Sequence, residues 1–334
     1  MGNNQPNPEF FYPPPHDTQG GNKEFTIQLR QSTGCVIELF AGGGGGGGGN
    51  LGSLDFGVAN NGMGGGGGGG GTYVNMTCTN PELLTGNAVI TVYIGWGGQG
   101  GYEGSNGDGS DGNPTYIKYL NDFIQAEPGK GGQLGHVDFS GGNGGDGGIG
   151  ITGTTNPENF RIDYVASFGG GGGIAYDPFS GFIGGKGGKG YLNASVNTAF
   201  FGSDGNSPNN SGGTFTRAGF GGGNMGNRGG IASSGIYISD GGSFTQILTG
   251  AGSGGSPGVA IPTNDINQHP KQSNIGAGAG FTFFNRSSAD PSSVGSNGGG
   301  GGGGVGGVLR GGVGDVSGYT GSFGGDGKII ITYS

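Results

Sequence analysis

The chain is poor in charge. Only 10% of its 334 residues are charged, and 13 basic against 22 acidic side chains leave a formal net charge of -9. Binding phosphates needs a basic footprint, so this composition argues against a nucleic-acid partner and against an anionic lipid surface. Hydrophobic residues are scarce as well, at 30%. That is little for a chain of this length, and it points to one small core or several satellites. No apolar run approaches the roughly 18 residues of a membrane-crossing helix, so no membrane insertion is expected. Residues 1–22 are polar and proline-rich without an apolar stretch, and no secretory signal is expected there. The two cysteines, Cys35 and Cys78, cannot build a disulfide framework; either they pair with each other or both stay free in strands.

Catalytic constellations are missing too. His16, His136 and His269 stand far apart, with no cysteine or histidine partner at ligand spacing, so no metal site is expected. There is no nucleophile elbow and no phosphate-cradling Gly-x-x-x-x-Gly-Lys-Ser/Thr loop. Residues 184–190 imitate such a loop with Lys186 and Lys189, but Tyr191 stands where the hydroxyl and the helix should begin. Asp108, Asp146, Asp204 and Asp326 each sit beside glycine without the strict repeat of a calcium-binding roll, and read as turn formers and solubilising side chains. The expectation is a protein that is not an enzyme, with no catalytic residue, no metal and no cofactor.

What the chain has is glycine, 96 residues of it, with unbroken runs at 42–49 and 64–71. Glycine buries no side chain and loses more conformational freedom on ordering than any other residue, so something besides side-chain packing must hold these runs. A periodicity points to what that is. Asn143, Asp146 and Ile149 stand three apart with glycine pairs between them, as do Trp96, Gln99 and Tyr102, and Lys186 and Lys189. The polyproline-type helix has three residues per turn and no internal hydrogen bonds, so bare glycine rows can lie against neighbouring segments backbone to backbone. The fold class read from this is mainly irregular and β: a packed array of polyglycine type II helices with a small antiparallel β layer or sandwich. Collagen would need far more proline inside the repeats, and silk-like sheets, whose phase is two, remain the alternative.

Along the chain, residues 1–24 read as an N-terminal docking arm. Phe10, Phe11, Tyr12, Pro13, Pro14 and Pro15 are its candidate contacts to a partner in a larger assembly. Residues 25–334 form the glycine-rich domain. Strands at 25–40, 72–94 and 328–333 are expected to make its base, and glycine helices with projecting loops fill 95–327. Within 111–128, Tyr116, Leu120 and Phe123 share a face at helical spacing; a helix there competes with a long loop opened by Asn113 and Pro114. Phe160, Ile162, Tyr164, Ala166 and Phe168 alternate as a strand.

Several of these stretches carry a resemblance. A hydrophobic strand enters the glycine run at 42–49, a second strand ends in Val-x-x-Gly-x-Gly-Gly at 92–98, and Gly324, Gly325, Asp326 and Gly327 lead into the closing strand at 328–333. That order resembles the glycine-rich domains of phage tail and fibre proteins, over roughly residues 25–333. The resemblance implies a rigid glycine-helix body with host-contacting loops at one end. Read with it, the chain is expected to be a noncatalytic virion surface protein, a host receptor-binding adhesin or spike at a tail-fibre tip. A structural capsid, surface-lattice or cement protein binding neighbouring subunits is the alternative. The implied partners are a virion protein, through the arm, and a host-surface protein or glycan. Aromatics give contact area at low entropy cost, which makes Tyr116, Tyr119, Phe123, Tyr176, Phe179 and Phe182 the receptor-binding candidates.

Overall fold

The computed structural model describes residues 7–14, 24–48, 65–102, 107–135, 142–167, 169–170, 186–192, 198–200, 308–309, 316–317, 321 and 323–334. Strand formation follows a period-two pattern of β-branched and aromatic residues, which places alternate side chains on opposite faces. In chain order the strands are β1 (Asn7–Phe11), β2 (Phe25–Gln28), β3 (Cys35–Phe40), β4 (Tyr73–Cys78), β5 (Val89–Tyr93), β6 (Thr115–Tyr119), β7 (Asp122–Ala126), β8 (Ile151–Gly153), β9 (Phe160–Ser167), β10 (Gly190–Leu192), β11 (Thr198–Phe200), β12 (Val308–Leu309), β13 (Val316–Ser317) and β14 (Lys328–Tyr333). Seven of them form an antiparallel sheet in the order β1-β14-β3-β4-β9-β10-β11, and five form a second in the order β2-β5-β6-β7-β8. Among the described residues, β12 and β13 pair with each other.

The two large sheets share one core. Cys35, Ile37, Leu39, Val74, Met76, Ile329 and Ile331 from the first pack with Ile27, Ile90, Val92, Ile117 and Ile124 from the second. Each such side chain contributes about 1.5–3 kcal/mol relative to exposure. Leu83 is added by a 3-10 turn at Pro81–Leu84, whose Asn80 side chain caps it by accepting from Glu82 N at 2.9 Å. β2 and β3 are neighbours in sequence yet belong to different sheets, so the chain crosses from one layer to the other over residues 29–34.

At one end of this sandwich the strands run out into glycine segments. β3 continues into 42–48, the segment 65–71 feeds β4, β5 continues into 95–102 and β7 into 129–135. The segments bond backbone to backbone at three-residue intervals: Gly44 N donates to Gly69 O at 2.8 Å and Gly47 N to Gly66 O at 2.8 Å. Gly98 N and Gly101 N donate to Gly43 O and Gly46 O, and Gly129 N and Gly132 N to Gly42 O and Gly45 O. A Cβ at Gly44 would lie 2.0 Å from Lys130 O and one at Gly69 2.0 Å from Asp146 O, which is why no side chain stands there. Side chains add further acceptors between segments that already pair through their backbones. Asp111 accepts from Gly131 N, Asp108 from Leu134 N, Asn143 from Lys186 N, Asp146 from Lys189 N and Asp326 from Gly97 N, all at 2.7–2.9 Å. Asp204 lies outside the described residues.

This architecture corrects the expected fold class. The regular structure is two antiparallel β-sheets, and the only helical element among the described residues is the 3-10 turn at Pro81–Leu84. The β layer is therefore the body of the fold and not a small base beneath a packed array of polyglycine type II helices. The physical reason is that short strands interrupted by glycine still alternate, and enough of them exist to close a two-layer core. The region 111–128 shows it: β6 and β7 form a hairpin there, and neither a helix nor a long loop exists. The reading as a virion adhesin or spike on a glycine-helix body is overturned with that body, as is the capsid, surface-lattice or cement alternative drawn from the same picture.

Candidate functional site

Parity on β5, β6 and β7 decides what the outer face of the five-stranded sheet presents. Ile90, Val92, Ile117 and Ile124 point into the core, so Thr91, Tyr93, Tyr116, Lys118, Phe123 and Gln125 point away from it. The ladder aligns these residues in two rows. Tyr93, Tyr116, Gln125 and Thr152 lie opposite one another from β5 to β8, and Thr26, Thr91, Lys118 and Phe123 from β2 to β7. Four strands place the ends of a row roughly 14 Å apart.

Three aromatic rings form the centre. Tyr93 and Tyr116 stack with centroids 4.9 Å apart and planes within 7°, and Phe123 meets Tyr116 edge-on at 5.2 Å. The Lys118 ammonium lies 4.9 Å from the Tyr116 centroid and 5.6 Å from that of Phe123. Glu24 reaches in from ahead of β2, pairing with Lys118 and accepting from the Tyr116 hydroxyl at 2.7 Å. Hydrogen bonds from Lys118 and Tyr116 hold the Glu24 carboxyl below its usual range. Desolvation, then the bond to Glu24, push the Tyr116 phenol up to about 12, so it stays a neutral donor. A polar fringe borders the rings: Gln125 Nε2 donates to Glu127 Oε1 at 2.9 Å and to Thr152 Oγ1 at 3.2 Å.

Of the receptor-binding candidates, this face brings together Tyr116 and Phe123. Tyr119 is on the opposite face, 6.4 Å from Phe160 and packed against the core. Tyr176, Phe179 and Phe182 lie outside the described residues, as do His16, His136, His269 and Pro15. The arm is placed as β1, whose register against β14 runs from Asn7 opposite Tyr333 to Phe11 opposite Ile329. Phe11 packs against the core, Phe10 and Tyr12 are exposed, Pro13 is half-buried, and the Pro14 carbonyl accepts from Trp96 Nε1 at 3.1 Å. Sequence reasoning missed Tyr93, Lys118 and Glu24. The available signal was the shared alternation of 89–93, 115–119 and 122–126, which puts all their outward residues on one face.

The outer face of the seven-stranded sheet is different. Phe40, Tyr73 and Lys328 are buried there, with the Tyr73 hydroxyl donating to Glu38 at 2.7 Å and Lys328 4.8 Å from the Phe40 centroid. Burial lowers the Lys328 ammonium pKa and raises that of the Tyr73 phenol. The Tyr73 hydroxyl also accepts from Asn75 Nδ2 at 3.2 Å. Among the described residues, no three His, Cys, Asp or Glu side chains gather as a metal site would require. No protein-family model matches the chain, and no curated protein matches it.

Proposed function

We propose that the protein is a noncatalytic carbohydrate-binding protein that holds its ligand on the outer face of the five-stranded sheet. The observation that carries this reading is the aromatic group Tyr93, Tyr116 and Phe123 on three adjacent strands, bordered by the polar side chains of Thr91, Gln125 and Thr152. Aromatic faces are electron-rich and attract the C–H bonds on the flat side of a pyranose ring, while neighbouring amides and hydroxyls take the sugar hydroxyls. The strands hold the rings in place before binding, so little entropy is lost when a sugar settles on them. A neutral glycan is favoured over an anionic one, because the Lys118 charge is already paired with Glu24 and the chain carries a net charge of -9.

The test is titration of the full chain with neutral oligosaccharides of β- and α-linked hexoses, followed by isothermal calorimetry. Tyr93→Ala and Phe123→Ala each remove about 0.5–1.5 kcal/mol of ring contact, a loss of roughly 2- to 12-fold in affinity. Phe10→Ala, on the other sheet, leaves affinity unchanged. Absence of binding to any neutral glycan, or binding indifferent to both ring deletions, refutes the assignment.

A further inference from the structure

The two cysteines of the chain are brought face to face. β3 and β4 pair antiparallel with Val36 opposite Thr77, so the next rung of the ladder sets Cys35 opposite Cys78. Both side chains point into the core, at 2% and 6% exposure, and both are free thiols. Directly opposed antiparallel residues have Cα atoms about 4.5–5.5 Å apart, inside the range of about 4.4–6.8 Å that a disulfide spans.

We infer that Cys35 and Cys78 are the site of a reversible intramolecular disulfide across β3 and β4, formed by a peroxide-class oxidant. One of the two thiolates attacks a peroxide oxygen, breaking the O–O bond and leaving a sulfenic acid and one water. The other sulfur then displaces the hydroxyl from the oxidised one, forming the S–S bond and releasing the second water. Two thiols are oxidised and one peroxide is reduced, and both thiol protons end in water. Burial opposes ionisation of both thiols. Either thiol can attack and the other resolve, and both routes end in the same bond.

The consequence follows from where the bridge sits. It joins the ends of β3 and β4 that lie away from the glycine segments, so it encloses residues 36–77, with both long glycine runs inside the covalent ring. The described residues of those runs are held by backbone bonds, and tying β3 to β4 keeps the pair from separating when these bonds open.

The experiment uses the full reduced chain, folded, treated with hydrogen peroxide and then analysed by intact mass and chymotryptic mapping. The expected result is loss of two hydrogen atoms per chain, both thiols disappearing together, and a linked peptide pair containing Cys35 and Cys78 that dithiothreitol releases. Cys78→Ser abolishes the internal link, and Cys35 then gains oxygen. Retention of both thiols in the folded wild type overturns the inference. So does oxygen addition to the wild-type chain without a bridge, or linkage between chains.

Discussion

Gly44→Ala is the sharpest perturbation of this fold. The added Cβ would sit 2.0 Å from the Lys130 carbonyl oxygen and 2.3 Å from its carbon. Both atoms belong to the backbone, so no rotamer change relieves the overlap, and the segment 129–135 must retreat by more than 1 Å, about what ordinary contact distances demand. That segment is held by Gly129 N to Gly42 O at 3.0 Å and Gly132 N to Gly45 O at 2.8 Å, on either side of the clash. Separating the segments breaks both bonds in a buried setting, where each unmet group costs about 1–3 kcal/mol. Two such losses with about 1–3 kcal/mol of overpacking strain give a destabilisation of roughly 3–9 kcal/mol. Urea unfolding followed by circular dichroism measures it, with Gln99→Ala as the control because the Gln99 side chain is exposed. A Gly44→Ala loss below about 1 kcal/mol would show that these segments yield easily and would refute the reasoning.

Three further outcomes are expected. Leu120 occupies the two-residue turn between β6 and β7 at a φ of 52° and is 72% exposed; Leu120→Gly should stabilise the protein by about 0.5–1 kcal/mol in urea unfolding, and a loss of stability would count against strain there. Asp122 is buried and accepts from Asn159 N and Asn159 Nδ2, both at 2.8 Å. Asp122→Ala should therefore cost about 2–4 kcal/mol, with Asp122→Asn costing less by the same measurement; equal losses would refute the hydrogen-bond account. Glu24 has its folded-state pKa depressed, so the stabilisation from its contacts with Lys118 and Tyr116 is fully present above its ordinary pKa of 4.5 and is lost as pH falls through the lower folded value. Carboxyl NMR titration of Glu24 should give a midpoint below 4.5, and a midpoint at or above it would dismiss the contact in solution.

Alternation was legible in the sequence wherever a strand had one buried face. Ile27, Ile37, Leu39, Ile90, Val92 and Ile331 all lie in the core from stretches where the pattern predicts strands. The need for glycine was legible as well, since runs without side chains can be held only by their backbone groups. The β6–β7 hairpin was misread because Tyr116, Leu120 and Phe123 also fit a helical spacing, and a two-residue turn with leucine in it gives no glycine or asparagine-glycine signal. The candidate site was half legible: Tyr116 and Phe123 were singled out, while Tyr93, Lys118 and Glu24 were not.

The sequence by itself determined which residues turn inward and which positions tolerate no side chain, because both follow from local geometry. It did not determine which strands pair. β2 and β3 are separated by six residues and join different sheets, while β1 and β14 come from opposite ends of the chain and lie side by side. Alternation assigns a face to each residue but names no neighbour, and the neighbour is chosen by packing the whole core at once. Only tertiary structure therefore stacks Tyr93 on Tyr116, brings Glu24 to Lys118 and sets Cys35 against Cys78.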